Sequence, residues 1–587
     1  MRNAKWALSA LLLILLLWQA YQIAQMNANQ QLWGHRPLWL LLTGWAMLAL
    51  LSYRPAFQDM LLGASLSGLL MAGAFAGKTA LPFLAFTGIA PILWLEYRVR
   101  HTDTAHPKRL LAWYAYLAFL LWNILSTYWV SNASLAAGLF AVLVNSAIMV
   151  LPVLVFRLVM KYMPKLSFIA FATTWAGMEY LHHRWDLSWP WLTIGNSMAA
   201  FPKWAQWYEY TGVLGGSVWI VFANILLFEW MIVDKGSRKS KRVVPLIIVL
   251  LVPLAISHWK YYRIDLNGPT AEFVAVQPNV EPHYGELNRT EADLAQNAVS
   301  TAAAAISEET ACVVFPETTF SGLQIPEWNQ SAAITQLREM QQRYPQLHIL
   351  AGISAYHVLA PGEAHNAFTR TQTGRTGEAF FWEGYNAAAH LAPGNGDIGL
   401  YSKSKLVAGA EFMPFARYLG FLKPVVANFG GSTAGLVTQA ERSVFDMGKV
   451  KAAPVICYES VFGEFLGGYI RKGANVICIM TNDGWWDQTA GHRQHLRYAS
   501  LRAIETRRSI VRAANTGVST IINARGDILQ ATAYNEKTAV KATVELRDGA
   551  TFYVRWGDFI GRLCLFAGLL LTLNGLVKHW TNTAKSR

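Results

Sequence analysis

Cysteine is scarce in this 587-residue chain: four residues, too few for a disulfide-built scaffold. Charge is sparse as well. Asp, Glu, Lys and Arg make up 15% of the residues, against about 25% in an ordinary soluble domain. Residues 110–156 hold no charged residue at all. No internal repeat and no low-complexity tract appears. What the chain has in abundance is apolar surface: 53% hydrophobic residues, 24 Trp, 28 Phe and a mean hydropathy of +0.24. That excludes a disordered chain and argues against a purely soluble enzyme. The length is several times that of one domain, so at least two units are expected.

A helix crosses the bilayer core with about 20 mostly apolar residues. Such stretches fall near 6–26, 37–53, 60–77, 79–97, 110–130, 135–156, 166–184, 211–233, 243–259 and 556–577. Ten spans are therefore predicted. Lys and Arg alternate strongly between the two sides. Eighteen fall on the side of the N-terminus, among them Arg2, Lys5, Arg98, Arg100, Lys235, Arg238 and, after the last span, Arg587. The other side, outside the polar interval, carries four: Arg36, Lys78, Arg184 and Lys203. By the excess of basic residues in cytoplasmic loops, both termini are expected in the cytoplasm and residues 264–550 in the opposite compartment. The net charge of +14 is then mostly topology, and nucleic-acid binding loses its support. The first stretch also has the basic start of a signal peptide, but its length and the lack of a small-x-small cleavage site favour a span. The expected organisation is a membrane domain over 1–263 with about nine helices, a polar domain over 264–550, and a last span with a tail over 551–587.

The polar interval alternates β-rich runs with helical patterns. Strands are predicted at Glu272–Val276, Cys312–Phe315, His348–Ala351, Ala453–Cys457, Val476–Met480, Ile510–Arg512 and Val518–Ile522, with helices over 290–308, 328–343 and 491–507. This pattern predicts a layered α/β fold with its chemistry at strand ends. Three strand or loop ends carry reactive residues: Glu317 after Val313-Val314-Phe315-Pro316, Lys403 and Lys405 before Leu406-Val407, and Cys457 after Pro454-Val455-Ile456. A thiol needs a base or a nearby cation to become a nucleophile. Glu can take its proton, and a Lys ammonium can stabilise an oxyanion. Alone, each residue also reads as ordinary core, loop or solvated surface, and Cys312 and Cys478 fit the core reading. His492 and His495, three apart on one helix, lack the further ligands a metal needs.

Together the three segments resemble the nitrilase superfamily, whose members use a Glu-Lys-Cys triad in that chain order. Thr481-Asn482-Asp483-Gly484-Trp485-Trp486, Gln494-His495, Arg502-Ala503-Ile504-Glu505 and Asn515-Thr516-Gly517 strengthen the likeness. With apolar spans on both sides, the chain most resembles the apolipoprotein N-acyltransferases of bacterial inner membranes, over roughly residues 58–578. Trp175, Glu179 and Trp189-Pro190-Trp191-Leu192 belong to the same resemblance.

The resemblance implies a polytopic α-helical membrane domain joined to an α-β-β-α nitrilase-like sandwich facing the periplasm. It implies a phospholipid acyl donor, a thioester on the Cys, and transfer to the α-amino group of a diacylglyceryl apolipoprotein. Glu317 would be the general base, Lys403 the oxyanion-side cation and Cys457 the nucleophile. Glu411 and Glu459 would be supporting carboxylates, and Tyr458 and Trp485 aromatic residues lining the site. No metal or cofactor is called for. Lys405 is the weaker alternative, since the spacing to Leu406-Val407 and Glu411 selects Lys403. The chain departs from the family at Ala408-Gly409-Ala410, where Pro commonly follows Leu-Val, and in two spans added at the N-terminus. Two other readings compete: a membrane-tethered amidase acting on a small amide, and a transporter or receptor with a ligand-binding polar domain. The latter would place charged residues deep in several spans, and these are scarce.

Overall fold

The computed structural model describes residues 2–585 apart from 76–79, 234–238, 287–288, 375–376, 395 and 423–434. Lys78, Lys235, Arg238 and Arg587 of the topology count thus lie outside the described residues. The chain forms two compact units. The first comprises Met1–Tyr262, Thr489–Gln494 and Asp558–Arg587; the second comprises Arg263–Gln488 and His495–Gly557.

The first unit is helical. Six of its described helices are long and apolar enough to cross a membrane: Lys5–Ala28, Pro107–Thr127, Leu135–Tyr162, Tyr208–Met231, Val243–Arg263 and Phe559–Ala584. The other apolar stretches are broken or short for local reasons. Those at 37–53 and 60–77 form a pair, Arg36–Ser52 and Pro55–Phe75, bent by 112°. Pro55 forces Arg54 into extended backbone (φ −137°, ψ 133°) and so ends the helix before it. The stretch at 79–97 is cut into Pro82–Leu84, Ala85–Gly88 and Ala90–Arg100. Pro82 and Pro91 each stand at the start of a new piece, where a missing N–H costs nothing. Asn224 bridges that break: its Oδ1 accepts from the Ile89 and Ala90 amides at 2.9 and 3.0 Å, and its Nδ2 donates to the Ala85 carbonyl at 2.8 Å. Backbone groups freed inside an apolar unit need such partners.

The stretch at 166–184 gives the 16-residue helix Ser167–His182. Its Glu179 is buried and accepts from Trp175 Nε1 and the Ile194 amide, both at 2.9 Å. The Ile194 bond anchors the buried 3₁₀ segment Ile194–Ala200, which follows Trp189-Pro190-Trp191-Leu192. Trp191 donates to Gln494 Oε1 at 2.7 Å, and Gln494 Nε2 donates to the carbonyls of Phe75 and Ser126. Trp175, Glu179 and Trp191 are thus packing and hydrogen-bonding parts of the helical unit.

The second unit is a two-sheet sandwich. One sheet runs in the order Thr538–Glu545, Thr270–Gln277, Thr310–Val314, His348–Val358, Ala379–Leu391, Arg370–Thr373, with Phe320–Ile325 and Gly399–Ser402 paired alongside. The other runs Ile528–Ala531, Thr520–Ile522, Ser509–Ala514, Val476–Thr481, Val450–Ile456, Phe445–Met447. The central strands are parallel in both. Side chains alternate between two cores, as strand geometry requires. Phe273, Ala275, Cys312 and Val314 face the core between the sheets, with Cys478 and Val511. Val274, Val276, Val313 and Phe315 face the helices Glu291–Ala303 and Ala332–Arg343. Helices Gly463–Arg471 and Ala490–Thr506 contribute Leu466, Ile470, Ala499 and Ala503 to the second sheet's packing. The result is the expected α-β-β-α layering.

Candidate active site

Parallel strands leave their C-terminal ends on one edge of a sheet, and loops there can be brought together. Strand Thr310–Val314 is followed by Glu317, Gly399–Ser402 by Lys403, Val450–Ile456 by Cys457, and Val476–Thr481 by Asn482 and Asp483. The Lys403 ammonium lies 2.8 Å from Glu317 Oε1 and 2.8 Å from Glu411 Oε1. Asn386 Nδ2 reaches the same two oxygens, at 2.8 and 3.2 Å. Glu411 Oε2 accepts from the Val407 amide at 2.7 Å, which ties the carboxylate back to the lysine's own loop. Glu317 Oε2 takes the Asn482 amide at 3.3 Å. Glu317, Lys403 and Cys457 are all buried.

Two backbone features make this possible. Gly352 on strand His348–Val358 lies against the Glu317 turn; a Cβ there would stand 2.0 Å from the Pro316 carbonyl oxygen and 2.7 Å from Glu317 Cα. Cys457 has φ +45°, left-handed backbone that a non-glycine residue adopts only under constraint. It opens the 3₁₀ turn Cys457–Val461, and Glu459 braces that turn. Glu459 is fully buried and accepts from the Ile456 amide at 2.9 Å, the Ser404 amide at 2.7 Å and the Tyr401 hydroxyl at 2.8 Å. One carboxylate therefore joins the end of the cysteine's strand to the loop that carries the lysine.

The electrostatics follow from burial and these partners. Burial works against the Lys403 ammonium, but the Glu317 and Glu411 carboxylates outweigh it and hold its pKa well above lysine's usual value. Burial, then the Glu317 carboxylate, pushes the Cys457 thiol well above a cysteine's usual pKa, against the opposing influence of Lys403 and a hydrogen bond with Thr481. These influences favour the thiol form of Cys457, so a nucleophilic role would require its proton to leave during attack. A carboxylate base, a fixed cation and a buried thiol together suit acyl transfer through a covalent intermediate.

Residues 67–226 match the apolipoprotein N-acyltransferase N-terminal domain, and residues 275–552 match the carbon-nitrogen hydrolase family. The chain carries both of these domains and is similar over most of its length to apolipoprotein N-acyltransferases. The apolipoprotein N-acyltransferase of Chlorobaculum tepidum is 28% identical over 528 residues, covering 88% of this chain and 96% of that protein. That of Geobacter metallireducens is 28% identical over 517 residues, covering 86% and 92%. Among solved structures, Saccharomyces cerevisiae Nit3, a member of the nitrilase superfamily, matches with a TM-score of 0.33 and 15% identity over 48% of this chain and 92% of its own. The two domains and these relatives support an acyltransferase, and the long apolar helices fit a membrane protein.

The structure brings buried Glu317, Lys403 and Cys457 and half-buried Glu411 into one cluster, and Glu459 braces the turn that carries Cys457. Tyr458 is buried edge-on to Phe462. Trp485 is 40% exposed, with His283 at its edge. Lys405 lies over the Phe462 ring. Sequence reasoning missed Asn386, which bridges the two carboxylates, and Tyr401, which holds Glu459. Within the Tyr401-Ser402-Lys403 run, the nearness of Tyr401 to the lysine was the available signal; for Asn386 there was none. Asn515 and Thr516 serve the backbone at Val280 instead.

Two expected outcomes arise here. With Cys457→Ala as the blank, iodoacetamide should label Cys457 more slowly than an ordinary exposed thiol at neutral and mildly alkaline pH, because its raised pKa keeps the thiol protonated there. Rapid labelling that does not change between pH 6 and 8 would contradict a protonated resting thiol. Gly352→Ala should displace Glu317 and cut turnover by about 10²-fold, since small misplacements at a reacting centre cost that much. Wild-type turnover in that variant would show that the turn can give way.

Proposed function

We propose that the protein transfers an acyl chain from a membrane phospholipid, through a thioester on Cys457, to the α-amino group of the N-terminal diacylglyceryl cysteine of an apolipoprotein. The observation that carries this is the Lys403 ammonium held between Glu317 and Glu411 within electrostatic reach of the Cys457 thiol. The family's name supplies the acceptor class. In the first half-reaction Glu317 takes the thiol proton as Sγ attacks the ester carbonyl. Lys403 offsets the charge that develops on the tetrahedral oxygen, and the proton passes from Glu317 to the leaving glyceryl oxygen. In the second, the amine attacks the thioester, Glu317 receives its proton, and the thiol is regenerated. Ping-pong kinetics follow from this order. Glu411 and Glu459 position the lysine loop, and Tyr458 and Trp485 line the approach. Both substrates are lipid-anchored, so a chain with several apolar helices meets them without extracting their tails.

The test is incubation with a labelled phospholipid followed by intact-mass measurement, then addition of a diacylglyceryl peptide. A fatty-acyl mass that appears on the protein and then moves to the peptide is expected. Hydrolysis of small amides with no acyl mass on the protein would favour the amidase reading. The reading also places the polar unit in the periplasm and both termini in the cytoplasm of the inner membrane. A reporter inserted near Gly362 should therefore read periplasmic and one fused at Arg587 cytoplasmic. Finding both on one side would overturn that topology.

A further inference from the structure

Beneath Cys457 lies a second buried polar group, separate from the Glu-Lys-Cys cluster. His495 Nε2 sits 3.2 Å from the Cys457 carbonyl oxygen and 2.7 Å from Ser460 Oγ, and Ser460 Oγ donates to the same carbonyl at 2.7 Å. On the other side of the ring, Nδ1 faces Asp483 Oδ1 at 3.0 Å. Asp483 Oδ2 takes Arg512 at 2.5 Å, and Thr481 Oγ1 donates to Oδ1 at 2.8 Å. His495, Asp483 and Arg512 are each 1% exposed or less. A carbonyl oxygen only accepts hydrogen bonds, so Nε2 is the nitrogen that donates toward Cys457, while Nδ1 lies between Asp483 Oδ1 and the Arg512 Nη2 donor at 3.2 Å. Burial works to raise the Asp483 pKa, but Arg512 and His495 outweigh it and hold the carboxyl well below its usual range. The anchor is thus a fixed charge. Gly517 leaves room for it: a Cβ there would stand 2.7 Å from Asp483 Oδ2.

Cys457 needs such an anchor. Left-handed backbone at a non-glycine residue persists only where its surroundings over-determine it. Here two hydrogen bonds converge on one carbonyl, and the direction of the Sγ follows from that backbone. We propose that His495, clamped by Asp483 and Arg512, is a positioning residue for acyl transfer: it holds the Cys457 carbonyl and thereby aims the thiol at the incoming ester. The proposal rests on Cys457 being the nucleophile.

The test uses the full-length protein in detergent with labelled phospholipid varied up to saturation, reading single-turnover thioester formation by intact mass. In His495→Gln the amide nitrogen reaches the place of Nε2 and can serve the Cys457 carbonyl. In His495→Asn it reaches the place of Nδ1 and serves only Asp483. Thioester formation in His495→Gln should stay within about fivefold of wild type, while His495→Asn should fall about 10²-fold with KM for the lipid unchanged. A purely structural ion network predicts the reverse rescue. The proposal is overturned if Asn performs as well as Gln, if both match wild type, if the loss lies in KM alone, or if both variants lose their wild-type Tm. A wild-type protein that forms no thioester, or a Cys457→Ala variant that still forms one, would instead overturn the parent reading of the nucleophile.

Discussion

Cys457→Ala is expected to abolish acyl transfer, whereas Cys312→Ala and Cys478→Ala should leave it in place. All three thiols are buried in the second unit, so burial alone does not single out the reactive one. Position and partners do. Cys312 and Cys478 lie within strands, fully buried in the core between the two sheets. Burial raises both their pKa values with no cation to oppose it. Cys457 alone stands past the end of its strand, in left-handed backbone, with a base and an ammonium acting on it. Alanine keeps the Cβ and so meets the same backbone constraint, which means the variant should fold while lacking the Sγ. Removing a small side-chain group from the core at 312 or 478 should cost about 1–2 kcal/mol each, seen as a lowered Tm with turnover retained. Intact mass after donor lipid should show an acyl adduct on wild type and on both core variants, and none on Cys457→Ala. Turnover in Cys457→Ala would rule out the covalent mechanism.

Glu317 and Cys457 were legible in the sequence because each follows a short apolar run, where a polar residue marks the end of a buried strand, and Lys403 because of its spacing to Leu406-Val407 and Glu411. Glu317 and Cys457 needed only that local pattern. Asn386 was not legible. It sits in Ala379–Leu391, the long strand whose Ala387-Ala388-Ala389 has low strand preference and whose Gly384 and Asn386 read as loop. Burial between neighbouring strands overrides that preference, since all three alanines are fully buried. The His495–Asp483–Arg512 line was hidden for a different reason: its members come from a helix, a strand end and another strand, and only tertiary packing makes them neighbours. In the helical unit, composition revealed the apolar stretches, but the cuts at Pro55, Pro82 and Pro91 depend on where the chain can re-satisfy its freed amides. Asn224 does this from more than 130 residues away.

Glu317→Gln should leave no thioester on Cys457 even after long incubation with donor lipid. Burial and Glu317 favour the protonated thiol, so attack requires a base in contact at that moment. Glutamine preserves the size of the side chain and an oxygen for Lys403, but it cannot accept the thiol proton or return one to the leaving glyceryl oxygen. Lys403→Ala is different in kind. Losing one electrostatic contact to a developing oxyanion costs about 10²–10³-fold, or ~3–4 kcal/mol, and the loss should fall on both half-reactions. It also leaves Glu317 and Glu411 facing each other across Asn386, and two like charges so placed favour proton uptake by one of them, which weakens the base. Glu459→Gln turns one accepting oxygen into a donor opposite the Ile456 and Ser404 amides. It should therefore loosen the cysteine turn and the lysine loop together, slowing both steps without stopping either. Glu411→Gln keeps an oxygen for Lys403 and should slow them less. One mass experiment on the four variants, with donor alone and then with acceptor, separates these cases. A thioester that accumulates in Glu317→Gln, together with none in Glu459→Gln, would exchange the roles assigned to these two carboxylates.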